Sequence, residues 1–184
     1  LAGAGNDSFI GGIGSDTLDL QGLSGTVAID FTNAGTGTVS ASSGNLGVDS
    51  FSGIETIITA GTTARINNAD GIILTGNAST DILDYSDFSS AVTVTFSATG
   101  VGVVSGGAAV TFTGTKQIVG STQNDSFVNT AGEQILDYSA VSVGINVDAD
   151  SGQVSSTQTG TDTITGTFYY VGTQNQDTFV AGAT

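Results

Sequence analysis

Aspartate is the residue type with which this chain could do chemistry, and it falls on a beat. Asp7 and Asp16 close two consecutive phrases, AGAGNDSFI (2–10) and GGIGSDTLD (11–19), in which Gly3, Gly5, Asp7 and Phe9 recur nine residues later as Gly12, Gly14, Asp16 and Leu18. Glycine admits positive φ and leaves carbonyl oxygens uncovered, while aspartate adds a carboxylate. Together they offer the oxygen donors that a hard cation such as calcium needs, about six to eight per ion. Looser versions of the phrase follow. GNLGVDSFS (44–52) keeps Asp49, GNASTDILD (76–84) keeps Asp81, and GTDTITG (160–166) keeps Asp162. QNDSF (123–127) and NQDTF (175–179) keep Asp125 and Asp177 but carry Gln and Asn where glycine stood, and GEQILDY (132–138) has Gln134 in the aspartate's place. The competing reading of each is an Asx turn, with the carboxylate capping nearby backbone N–H groups and no metal present. That reading is strongest at Asp49, Asp81, Asp125, Asp162 and Asp177.

The elements that would position these turns are short strands. Apolar or β-branched runs are centred near Phe9, Leu18, Ile29, Val39 and Phe51, and continue at steps of mostly about nine residues to Ile164, Tyr170 and Phe179. VAIDF (27–31), VTVTF (92–96) and GINVD (144–148) alternate with the period of half-buried strands, and no window carries a helical pattern of useful length. A longer repeat overlies the short one. TLDLQGLSGTVAIDF (17–31), ILDYSDFSSAVTVTF (82–96) and ILDYSAVSVGINVD (135–148) align, with 53 residues from Leu83 to Leu136 and 65 from Leu18 to Leu83, where an extra strand around ADGIILTGN lengthens the first module. Strands this short cannot bury a face singly, but stacked coils can. The expectation is an all-β, right-handed parallel β-solenoid, one domain over 1–184 with modules near 1–74, 75–127 and 128–184. An antiparallel sandwich with strands every 8–12 residues is the alternative; repeats at two length scales argue against it. In the LD step Leu points inward, so Asp19, Asp84 and Asp137 belong to a solvated face and Tyr85 and Tyr138 point in or half-in.

Composition narrows the partners. The net charge is −15, from 15 Asp and 2 Glu against Lys116 and Arg65. A chain this acidic is not expected to bind nucleic acid, whose phosphates call for Lys and Arg, and no long apolar run predicts a membrane span. There is no His and no Cys, and no pair of carboxylates stands out from the repeat, so catalysis is not expected. The missing Met points to a processed form or an excerpt of something larger.

The two N-terminal phrases resemble the nonapeptides of the repeats-in-toxin (RTX) family, G-G-x-G-x-D-x-U-x with U a large apolar residue; the full form covers residues 2–19. The later LDYS modules resemble segments of large bacterial adhesins and surface-layer proteins. The resemblance implies calcium held by Gly3, Gly5, Asp7, Gly12, Gly14 and Asp16 and shared between turns of stacked coils, with Asp49, Asp81, Asp125, Asp162 and Asp177 as weaker candidates. It also implies an extracellular or cell-surface bacterial setting. The function expected is a structural or adhesive building block, stabilised by calcium, stacking end to end, and contacting cell-surface polysaccharide or other matrix components. Two alternatives stay open: a calcium-dependent export or folding module of a larger type I-secreted protein, and an ice-binding solenoid. The last ranks lowest, because no strict Thr-x-Thr recurs at coil spacing.

Overall fold

The computed structural model describes residues 5–23, 27–42, 47–59, 62–66, 70–76, 81–107, 109–130 and 132–182. Strands account for all the regular structure among them. β1 (Ser8–Ile10) and β2 (Thr17–Asp19) lead into β3 (Val27–Asn33), β4 (Thr36–Ala41) and β5 (Val48–Ser52). Then come β6 (Thr56–Ile58), β7 (Thr62–Ile66), β8 (Ile72–Thr75) and β9 (Asp81–Asp84), followed by β10 (Thr93–Ala98), β11 (Val101–Ser105) and β12 (Val110–Thr113). β13 (Thr115–Val119), β14 (Ser126–Asn129) and β15 (Ile135–Asp137) precede β16 (Asn146–Asp148), β17 (Gln153–Ser156) and β18 (Gly160–Thr165), and β19 (Tyr169–Val171) and β20 (Thr178–Val180) complete the series.

These strands form a β-solenoid of about four turns, with mostly parallel stacking. Two sheets run its length, one in the order β1-β5-β4-β3-β7-β9-β13-β15-β19 and the other β2-β6-β8-β12-β11-β10-β14-β18-β17-β16-β20. Single strands alternate between the sheets, which is why the side chains of each short strand need only one covered face.

The stacking is not parallel throughout. β3-β4-β5, β10-β11-β12 and β16-β17-β18 are antiparallel meanders, each lying within one sheet. The physical reason lies in their turns. Gly35, Gly100 and Gly152 have φ of +63, +68 and +64°, and the ladder shifts register beside the first two. A left-handed glycine following a tight turn closes a hairpin and inserts a bulge, so the chain doubles back instead of crossing to the opposite sheet. The first meander lies in the nine-stranded sheet and the other two in the eleven-stranded sheet. β8, the extra strand of the long first module, makes the number of single strands between the first two meanders even and so moves the second to the opposite sheet.

The core is the space between the sheets. Ile29, Phe31, Ile57, Ile66, Leu83, Phe96, Phe112 and Ile118 are fully buried there. Tyr85 and Tyr138 are buried with them, and Asp19, Asp84 and Asp137 point outward, each accepting the N–H two residues on (Gln21, Ser86, Ser139) at 2.7–3.0 Å. The inward residues of the first and last strands are less covered: Phe9 is half-buried and Phe179 is 57% exposed.

Candidate functional site: the carboxylate turns

Asp7, Asp16, Asp125 and Asp177 sit immediately before β1, β2, β14 and β20 and Asp81 opens β9, whereas Asp49 and Asp162 lie within β5 and β18, the last strands of two meanders. In three turns the acid closes a five-residue loop by accepting the N–H of the first residue: Gly12 donates to Asp16 Oδ2 at 2.7 Å, Ser121 to Asp125 Oδ2 at 2.7 Å and Thr173 to Asp177 Oδ2 at 2.8 Å. Where the first residue carries a hydroxyl it adds a second bond, Ser121 Oγ to Asp125 Oδ1 and Thr173 Oγ1 to Asp177 Oδ1, at 2.7 and 2.8 Å. Gly5 and Gly14 share almost the same φ, +128 and +129°, so the two N-terminal phrases bend alike. Gly3 lies outside the described residues.

A second set of bonds joins neighbouring coils. Asp7 N–H donates to Asp49 Oδ1 and Asp16 N–H to Glu55 Oε2, both at 2.9 Å; Thr62 N–H donates to Asp81 Oδ1 at 2.6 Å. Further along, Val92 N–H donates to Asp125 Oδ1 at 2.8 Å, Asp125 N–H to Asp162 Oδ1 at 2.9 Å, and Ile145 N–H to Asp177 Oδ1 at 2.9 Å. All six have one polarity. The donor lies toward the end of the rod with β1 and β2, the acid toward the end with β19 and β20. Asn6 and Asn124 close the same rungs from the other side, accepting the N–H of Val48 and Thr161 at 3.1 and 2.8 Å, and Asp70 takes their place for Ala109 at 3.2 Å.

Asp49, Asp81, Asp125 and Asp162 are buried, and N–H and O–H groups donate to their carboxylates. Donor hydrogens aim positive charge at the oxygens a cation would need. Asp7 is exposed and Asp16 half-exposed, but the strands they open belong to different sheets. Among the described residues no group of three or more acidic side chains is placed to hold one ion.

Sequence reasoning missed several members of this ladder. Glu55 gave no repeat signal. Ser121 and Thr173 were legible as the residues four before an aspartate. Gln134 lies fully buried, with Oε1 accepting from Gly100 N–H at 3.4 Å and Nε2 donating to Ala98 O at 3.2 Å, so an amide fills the missing aspartate's place.

The most perturbed group is Asp162. Tyr138 OH donates to its Oδ2 at 2.9 Å. Burial, and then the nearby Asp125 carboxylate, push its carboxyl up to about 7 against the bonds from Asp125 N–H and Tyr138 OH. Burial also raises Asp125. A raised folded-state pKa means that the native protein holds a proton the unfolded chain has released. The contribution is complete below about pH 4 and disappears as pH rises through about 7. Thermal melts should thus give a higher Tm at pH 5 than at pH 8, and Asp162→Asn should shrink that difference; an undiminished difference would assign it to other acids.

Comparison with protein-family models, with curated proteins and with solved structures finds no match to the chain.

Proposed function

We propose that the chain is a building block of an extracellular structural or adhesive assembly on a bacterial surface, formed by copies stacking head to tail along the solenoid axis. The observation that carries this reading is the polarity of the carboxylate ladder. The N–H groups of Asp7, Asp16 and Asp125 each reach an acid on the next strand, whereas no described residue accepts from the N–H of Asp177. The carboxylates of Asp125 and Asp177 each take an N–H from the preceding strand, whereas no described residue donates to Asp16 Oδ1. β20 and β2 are the two edges of the same sheet, and every single strand in it runs the same way. A second copy placed with its β2 against β20 would bring the Asp177 N–H to the open oxygen of Asp16 and continue the sheet without reversing a strand. Unpaired edges of this kind invite pairing, and a heterologous contact that does not close makes a filament.

Charge opposes the contact, because each copy carries −15, and added cations should favour it by screening. The shared bend at Gly5 and Gly14 supports a second reading, in which calcium engages the Asp7 and Asp16 turns of a larger secreted protein. Their few oxygens make such binding dependent on water or a further turn.

Light scattering over a concentration series, in calcium and in sodium at equal ionic strength, tests the stacking. The backbone of Phe179 faces the open edge, since its neighbours Thr178 and Val180 bond to β16 and the turn beside it. Phe179→Pro removes that edge donor, and Asp16→Ala removes the acceptor. The parent should lengthen with concentration and both variants should stay monomeric. A parent monomeric in every condition, or variants that lengthen equally, would refute the reading. Calcium exceeding sodium would favour ion binding at Asp7 and Asp16, and equal effects would favour simple screening.

A further inference from the structure

The outer face of the eleven-stranded sheet is a grid of threonine and other β-branched residues. Thr17, Thr56, Ile73 and Thr111 are register partners on β2, β6, β8 and β12. The same row runs on without a break through Val103, Thr95, Val128 and Thr165 on β11, β10, β14 and β18. A second row, two residues along the strands, aligns Ser105, Thr93, Ser126 and Thr163. On the other flank Ile58, Thr75 and Thr113 align. All of these side chains are exposed or half-exposed. The sequence does not announce the grid, because the meanders reorder the strands. β12, β11 and β10 stack in reverse of chain order, so rows appear in space that have no fixed spacing along the chain.

The grid is uncharged in a protein of net charge −15. From β6 to β18 the paired outward positions are Thr, Ser, Ile or Val, with Ala98 at the bulge of β10 the one exception. The nine-stranded sheet, by contrast, puts Asp30, Arg65 and Asp84 in one row of its outer face and pairs Gln117 with Asp137 at 2.6 Å. The nine-stranded sheet thus carries charge in the middle of its outer face, whereas the eleven-stranded sheet is free of it at the paired outward positions from β6 to β18 and has Asp19 and Asp148 only on the flanking strands β2 and β16.

We propose that this uncharged face binds ice. Its rows repeat at about 4.8 Å between strands and about 6.7 Å between alternate residues of a strand, close to the oxygen repeats on the prism planes of hexagonal ice. Threonine suits such a surface doubly: the methyl group fills hollows of the lattice and the hydroxyl joins its hydrogen bonds. β-Branched side chains hold few rotamers, so little freedom is lost on docking. A neutral lattice matches an uncharged face, where a charged matrix would not. Crystalline polysaccharide is disfavoured, because sugar rings are gripped by aromatic platforms and no aromatic residue stands in these rows. The inference does not depend on head-to-tail stacking, and its test reads ice growth by monomer or filament alike.

Thermal hysteresis and inhibition of ice recrystallisation provide the test. The parent protein should open a gap between melting and freezing and keep ice grains small. Thr95→Lys and Thr111→Lys, each placing a charge mid-grid, should abolish both effects. Thr63→Lys, on the outer face of the other sheet, should retain them. Should a lysine variant lose its fold by circular dichroism, Thr95→Ser with Thr111→Ser removes the methyl groups alone and should weaken the activity. The proposal is overturned by a parent without activity, by grid variants as active as Thr63→Lys, or by a parent that binds powdered chitin or cellulose and leaves ice growth unchanged.

Discussion

Replacing Asp125 by alanine should lower the unfolding free energy by about 2–6 kcal/mol, the cost of two buried N–H groups left without an acceptor, as read from urea denaturation. Asp125 is 1% exposed and takes three bonds, from the N–H of Val92, the N–H of Ser121 and the Ser121 hydroxyl. Alanine would leave the two N–H groups without an acceptor where water does not reach, and each such group costs about 1–3 kcal/mol. One effect works in the opposite direction. Asp125 raises the pKa of Asp162 through like charge, so its removal relieves repulsion at neutral pH. The lost bonds outnumber that single relief and should dominate. Asp125→Asn keeps a carbonyl acceptor without the charge, and a loss of about 1 kcal/mol is expected. Asp177 makes the same three bonds in the last coil but is only half-buried. Asp177→Ala should therefore cost less than Asp125→Ala. Equal losses at Asp125 and Asp177 would mean that burial does not set the value of these turns.

Phe96→Ala should cost about 3–5 kcal/mol by the cavity it leaves, measured in the same way. The ring is fully buried and meets Phe112 edge-on at 5.2 Å and Phe168 at 6.2 Å. Room for it comes from Gly102 on the middle strand of the meander, where a Cβ would collide with Thr95 O and the Phe112 ring. The first meander repeats the device: Phe31 and Phe51 meet edge-on at 5.5 Å over Gly37, where a Cβ would strike Asp30 O and the Phe51 ring. Gly102→Ala should also destabilise, by about 1–3 kcal/mol of overpacking. If Phe96→Ala were tolerated without loss, the two aromatic pairs would be filling space that neighbouring side chains can close.

The strands themselves were legible in the sequence. Alternation placed Phe9, Leu18, Ile29 and Phe51 in strands, and the structure has them there; Ile145 alone among the expected strand centres sits just outside, one residue before β16. The reason is local. A short strand between glycine and Asx turns is fixed by its own side-chain period and by backbone conformations that only glycine adopts readily. The turn closures of Asp16, Asp125 and Asp177 are local in the same sense, reaching four residues back.

Pairing was decided elsewhere. A nine-residue step fits a hairpin as well as a crossing to the other sheet, so spacing did not distinguish the three antiparallel meanders from parallel coils; Gly35 and Gly100, in register-shifting turns, did. Asp125 finds Val92 and Asp162 at separations of 33 and 37 residues, and no local signal sets such distances. The threonine rows depend still more on the whole fold. Thr111, Val103 and Thr95 become neighbours only because the second meander folds back on itself, and Thr111 meets Ile73 only because the extra strand β8 lies beside β12. Side-chain direction is a property of each strand, but which strands lie side by side is settled by long-range hydrogen bonding and by the burial of a shared core.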